Sequence, residues 1–181
     1  MKILKGCLMT IIAFALIFVV GYYFYKSNVI SNLESLRKNV EVNWGQYAEN
    51  INSRNKKIVL ENIISDSLQY YIKSSENTGK GKFSREFEYL EYKINEKIMS
   101  EKIKNEFNQI LNSNVDAYNQ SVRVYNVYRV TFPNSLIARK TKFPKNFEYF
   151  DIIKYGIQNQ NPKEKRQNVD NWIMYGGKYS E

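Results

Sequence analysis

Leu8-Met-Thr-Ile-Ile-Ala-Phe-Ala-Leu-Ile-Phe-Val-Val-Gly-Tyr-Tyr-Phe-Tyr25 contains no charged residue. Wound as an α-helix, it reaches roughly 27 Å, near the hydrocarbon thickness of a bilayer. Tyr22, Tyr23 and Tyr25 close the run with an aromatic belt, and Lys26 follows where an ammonium can snorkel to headgroups. Lys2 and Lys5 ground the other end. The stretch is therefore read as one transmembrane helix over residues 8–25, behind a short N-terminal segment 1–7, with the lipid bilayer as its partner. A cleaved signal peptide shares the basic start but needs small residues at a cleavage site. Here the run passes into bulky tyrosines, and Val19-Val-Gly21 is the single weak match. Leu4-Lys-Gly-Cys7 has the look of a lipoprotein box, yet its cysteine precedes the apolar region. An uncleaved span is the favoured reading. Its direction is left open by charge, because Lys2 and Lys5 at one end face Lys26, Arg37 and Lys38 at the other.

Outward from the anchor, 181 residues leave room for one domain of ordinary size. Lys and Arg total 27 against 18 Asp and Glu, a net charge of +9. Such an excess favours acidic partners. The cations are scattered, whereas nucleic-acid binders gather them on one face, so anionic lipid headgroups are the simpler partner and no nucleic acid is expected. A single cysteine excludes an internal disulfide and a thiolate metal cluster. The absence of histidine removes the commonest acid–base catalyst and metal ligand. No cofactor or metal is expected.

From Lys26 to Thr131 there is no proline, and the glycines are Gly45, Gly79 and Gly81, a pattern of long helices. Leu33, Val40 and Tyr47 recur every seven residues, and Trp44, Ile51 and Ile58 form a second such series. Together they make one apolar stripe, read as core packing. Arg54 takes the next position of the first series, where it is expected to snorkel or to loosen the seam. Ser74-Ser-Glu-Asn-Thr-Gly-Lys-Gly81 reads as a turn. A second run follows through Phe83, Phe87, Leu90, Ile94 and Ile98, slips near Met99 and Ser100, and resumes with Phe107, Leu111, Val115, Tyr118, Val122 and Tyr125. The slip is either a stutter or a break between two helices. The short turn implies antiparallel neighbours. Pro133 stops the helix, Phe143-Pro-Lys-Asn-Phe-Glu-Tyr-Phe150 is expected to dock on an end of the bundle, and residues 156–181 read as a polar, flexible tail, whose Trp172 and Tyr175 touch either the bundle or a partner.

Tyr118-Asn-x-x-Val122-x-x-Tyr125-Asn126, then Phe132-Pro-Asn-Ser-Leu-Ile-Ala138, Phe143 and Phe147-Glu-Tyr-Phe150 resemble the LemA family of bacterial membrane proteins. Asn39-Val40-x-x-x-Trp44, with Ile51 and Arg54, adds a weaker match. The family's Leu-Ile-Pro-Asn-Leu-Val segment is here Ile58-Val-Leu-Glu-Asn-Ile63, so without the proline a straighter first helix is expected. Asn108-Gln-Ile-Leu-Asn-Ser-Asn114 replaces the family's acidic, arginine-rich run, which marks a divergent member. The resemblance implies an all-α protein, a single N-terminal transmembrane helix followed by an antiparallel bundle of long helices over residues 26–155. It also implies a bacterial cell membrane, the N-terminus outside and the bundle in the cytoplasm. It brings no established enzymatic activity, and some relatives are tied to membrane organisation. Its structural signature falls on Trp44, Tyr118, Asn119, Tyr125, Asn126, Phe132 and Pro133.

Tyr118 and Tyr125 lie seven apart, with Asn119 and Asn126 in a parallel row. The row is either a polar site or a set of hydrogen bonds that fixes packing, and the second is the favoured reading. Phe132-Pro133 reads as a helix stop with an aromatic plug. Glu86, Glu88, Glu91, Glu96 and Glu101 alternate with Arg85, Lys93, Lys97 and Lys102, as on a solvated helix face. Gly79-Lys-Gly81 lacks the strand-turn-helix setting of a phosphate loop. The expected function is a noncatalytic, membrane-anchored scaffold or adaptor that binds an unknown protein partner or organises the membrane. The alternative is a peripheral bundle that binds anionic lipid through its positive charge.

Overall fold

The computed structural model describes residues 2–61, 64–79, 81–151 and 153–175. Its side chains are described at Met9 and from Ile12 on, apart from Glu61, Ile173 and Tyr175. Expectations about the side chains of Lys2, Lys5, Cys7, Leu8, Ile11 and Tyr175, and about Asn62, Ile63 and the tail after Tyr175, lie outside those residues.

Among the described residues the chain is all-helical. Six helices follow in order: α1 (Lys2–Glu61), α2 (Asp66–Thr78), α3 (Arg85–Ser100), α4 (Asn108–Val130), α5 (Asn134–Ala138) and α6 (Pro162–Tyr175). Near the N-terminus α1 is long and apolar enough to cross a membrane. The chain divides into two compact units, Met1–Lys38 with Val124–Phe147, and Asn39–Arg123 with Glu148–Glu181.

In the first unit Val29 and Leu33 of α1 are fully buried, as are Tyr125 of α4 and, nearly so, Ile137 and Ala138 of α5. The Asn32 amide donates to the Tyr128 hydroxyl at 3.1 Å. One stage nearer the N-terminus, the Tyr25 hydroxyl donates to Asn134 Oδ1 at 2.5 Å. These two pairs run the chain from the end of α4 into α5 antiparallel to α1. The Phe132–Pro133 peptide is cis.

The second unit holds the rest of the stripe: Val40, Trp44, Tyr47, Ile51 and Ile58 are all buried, as its reading as core requires. α2 and α3 form an antiparallel hairpin, because Ser65 meets Glu101 at one end and Ser75 meets Glu91 further along. Ile58, Leu68, Ile72, Ile94 and Ile98 fill the space between, with Ile64, Tyr71 and Ile103 at the margin. Serine caps start both helices: Ser65 Oγ accepts from the Leu68 amide and Ser84 Oγ from the Phe87 amide.

Two boundaries depart from expectation, and a third decides between the alternatives left open. α1 ends at Glu61 and residues 66–78 form α2, so most of the expected turn at 74–81 is helix. The turn is confined to its end, where a Cβ on Gly79 would stand 2.5 Å from the Phe87 ring. The slip near Met99 is a true break. Lys102 adopts φ +53°, its amide bonds Met99 O, and the Ile103 amide reaches back to Ile98 O. That is a Schellman closure, completed by the packing of Ile103 on the Ile98 cluster.

As far as Tyr175, the polar segment after residue 156 is ordered where its composition suggests a flexible tail. It carries α6, and Arg166 of that helix pairs with Glu88 and, at 2.6 Å, with Asp151. Lys163 stands 3.8 Å over the Tyr89 ring. Its charges are matched by partners distant in sequence, which composition does not reveal. Trp172 is half exposed.

Candidate functional site

The densest chemistry lies in the second unit around Glu91. This carboxylate and Arg54 are both fully buried. Glu91 Oε1 accepts from Arg54 Nη2 at 3.1 Å and from Ser75 Oγ at 2.6 Å. Oε2 accepts from Arg54 Nη1 at 2.7 Å and from the Tyr155 hydroxyl at 3.0 Å. Two oxygens offer about four lone-pair sites, so the carboxylate is saturated by protein donors. Arg54 also donates to Asn55 Oδ1, and Asn55 passes the chain on to Glu76 at 3.2 Å. Tyr155 shares a hydrogen bond with Tyr47.

Burial works against the Arg54 charge, but the adjacent Glu91 outweighs it and raises the guanidinium above its ordinary value. Burial, with the neighbouring Tyr155 and Glu91 charges, pushes the Tyr47 hydroxyl well above 10. Tyr155 rises in the same way through burial and Glu91. Arg54 is therefore a buried ion-pair partner and neither snorkels nor loosens the seam. In a region of low polarity an unpaired charge is costly, and the bidentate geometry is what permits this one.

Glu88 is a second fully buried carboxylate. Its Oε1 accepts from the Asp151 amide at 2.6 Å, while Oε2 faces Arg166 and, at 3.6 Å, Arg85. The acidic run on α3 is thus not one solvated face. Glu88 and Glu91 turn inward, and Glu86, Glu96 and Glu101 remain exposed.

The asparagine row clamps backbone. Asn119 Nδ2 donates to Phe150 O at 3.0 Å while its Oδ1 accepts from the Phe150 amide at 2.9 Å. Asn112, seven residues earlier, does the same with Tyr155. Asn126, in the first unit, repeats the clamp on Phe147. Each side-chain amide stands in for a neighbouring strand and satisfies both polar groups of a residue with no helix to satisfy them. Asn95 holds the Gly156 amide and Ile157 O. The Tyr118 hydroxyl donates to Glu148 O, and the Tyr125 hydroxyl to Pro144 O. Burial raises both tyrosines above their ordinary value. The segment around Phe150 accordingly lies along the side of α4 through these bonds.

Trp44 and Tyr118 come together at 5.5 Å between centroids, in a cluster with Tyr47, Phe83, Phe87 and Phe150. Phe132 does not plug anything: it is 75% exposed, and Pro133 beside it is exposed too. The sequence reading missed Glu91, Glu88, Arg166, Ser75 and Tyr155, and the one available signal was Asn112, in heptad register with Asn119 and Asn126. Among the described residues, no group of three or more His, Cys, Asp or Glu is placed to hold a metal ion. No family model matches the chain, and no curated protein or solved structure is significantly similar to it.

Proposed function

We propose that this chain is a noncatalytic, membrane-anchored helical scaffold or adaptor of the LemA-like type, which binds a protein partner or organises the membrane. One observation carries the anchor. Ile12, Phe14, Leu16, Ile17, Phe18, Val19, Val20 and Phe24 all stand exposed along one stretch of α1. An uncovered apolar surface of that length is unfavourable in water and favourable in hydrocarbon. The noncatalytic reading is supported by the use of the buried polar groups. Glu91 has its acceptor sites filled by Arg54, Ser75 and Tyr155, which leaves no site for a substrate proton.

The topology proposed places the N-terminus outside the cell and the helices after residue 26 in the cytoplasm. Cys7 is the only cysteine. A membrane-impermeant maleimide should label it in intact cells, and labelling only after permeabilisation would reverse the orientation. The scaffold reading is tested by cross-linking the full chain in native membranes and recovering it. A reproducibly enriched protein partner is expected. Recovery of lipid alone, with no membrane phenotype on deletion, would favour the second reading, a bundle that binds anionic headgroups through its net charge of +9.

A further inference from the structure

The end of α4 and the turn into α5 expose apolar side chains that the fold of the first unit leaves uncovered. Phe132 is 75% exposed, Val130 69% and Leu136 54%. Their position is set by two hydrogen bonds within that unit. Asn32 meets Tyr128, and Tyr25, seven residues nearer the N-terminus, meets Asn134. Seven helical residues correspond to about 10 Å of rise, so passage from Tyr128 to Asn134 carries the chain towards the apolar stretch of α1. Phe132 and Leu136 flank Asn134 and therefore lie near the level of Tyr25, where the apolar run ends.

The charge around this tip has one sign. From Ala117 to Phe147 the sequence has no carboxylate, while Arg139, Lys140, Lys142 and Lys145 are all exposed. A recess of about 230 Å³ beside the tip is lined by Arg129, Val130, Ser135, Ala138, Arg139 and Lys145. Arg129 is buried there beside the Tyr125 hydroxyl, and its Nη1 donates to the Thr141 hydroxyl at 3.5 Å. Three cations and a hydroxyl around a small recess suit a phosphate monoanion or diester. Apolar side chains ringed by Lys and Arg suit the boundary between acyl chains and headgroups.

We propose that the α4–α5 tip is a second membrane contact, in which Phe132, Val130 and Leu136 enter the interface of the bilayer that α1 spans. The recess formed by Arg129, Arg139 and Lys145 takes the phosphate of an anionic phospholipid from the same leaflet. The proposal rests on residues 8–25 being a span, and it names the surface through which the positive charge acts.

The test uses the full chain with Cys7→Ser, reconstituted in vesicles of phosphatidylcholine with a minority of phosphatidylglycerol. A single cysteine is placed at Phe132 (Phe132→Cys), or at Phe18 (Phe18→Cys) as a reference inside the span, and carries an environment-sensitive fluorophore. Brominated lipids should quench the label at 18 deeply and the label at 132 at a shallow depth. Brominated phosphatidylglycerol should quench the label at 132 more strongly than brominated phosphatidylcholine at equal mole fraction. That preference should fall by about fivefold or more in Arg139→Gln/Lys145→Gln, the loss expected for surface cations near anionic lipid. An unquenched label at 132 with a quenched label at 18 overturns the tip contact and leaves the span intact. An unquenched label at 18 overturns the span itself. Abolition of the lipid preference by inorganic phosphate, but not by sodium chloride of the same ionic strength, would show a free-phosphate site and overturn the lipid assignment.

Discussion

Glu91→Gln should be the most informative single change in this protein. It preserves the shape of the side chain and removes the charge that holds Arg54. Arg54 and Glu91 are both fully buried, so water cannot solvate the guanidinium left behind. The new amide also turns two donors towards Arg54, Ser75 and Tyr155, all of which are donors in the native arrangement. Removal of one partner of such a pair costs about 3–5 kcal/mol, against a total domain stability of about 5–15 kcal/mol. Arg54→Met/Glu91→Met should cost no more than Glu91→Gln, because both charges leave together and the groups left short of a partner, on Ser75, Tyr155 and Asn55, are neutral. Urea unfolding of the full chain in detergent micelles would read the effect. Trp44 is the buried reporter, and Trp172→Phe removes the exposed one. At an m-value of about 2 kcal/mol/M the single change lowers the midpoint by about 2 M. A loss below about 1 kcal/mol for Glu91→Gln would mean that water screens the pair as on a surface, and would refute the buried network.

Asn119→Ala leaves the amide and carbonyl of Phe150 without partners and should cost about 2 kcal/mol. Unchanged hydrogen-exchange protection of the Phe150 amide would count against the clamp. Tyr47 and Tyr155 are neutral in the folded state, with pKa values pushed well above the ordinary 10.0. Below pH 10 neither state ionises them and their contribution is fully present. Above it the unfolded chain alone loses protons, so stability falls as pH rises. Ultraviolet titration should therefore show buried tyrosines ionising only with a cooperative loss of helical circular dichroism, and a smooth titration of all 15 tyrosines near pH 10 would contradict this. Gly156 has φ +83°, and a Cβ there would stand 2.6 Å from Asn108 Nδ2, so Gly156→Ala should destabilise by about 1–2 kcal/mol. Gly45 lies within α1 with open space around it, so Gly45→Ala should instead stabilise by about 0.5–1 kcal/mol. Thermal melts of the two variants should move in opposite directions.

An unbroken uncharged stretch identified the apolar run of α1, and periodicity the buried faces of α1, α3 and α4, because a helix places every third or fourth side chain on one side whatever it packs against. The Tyr118–Asn126 pattern likewise disclosed polar groups that fix packing, and Asn119 and Asn126 proved to clamp the backbone of Phe150 and Phe147. The Schellman closure after α3 was invisible because its left-handed position is held by Lys102, where glycine would have marked it. Tertiary structure alone decided which charges are buried. Arg54 and Glu91 are separated by 37 positions, and Glu88 and Arg166 by 78. On a linear sequence each of these is one charge on a helix face of mixed sign. Local pattern dictates which side a residue occupies, whereas the fate of a charge depends on whether a partner from another helix arrives to meet it. For the same reason residues 156–175 form a docked segment where composition suggested a free tail. The exposed Phe132 is the converse case: its hydrophobicity is plain in the sequence, but only the fold shows that no described residue of the first unit covers it.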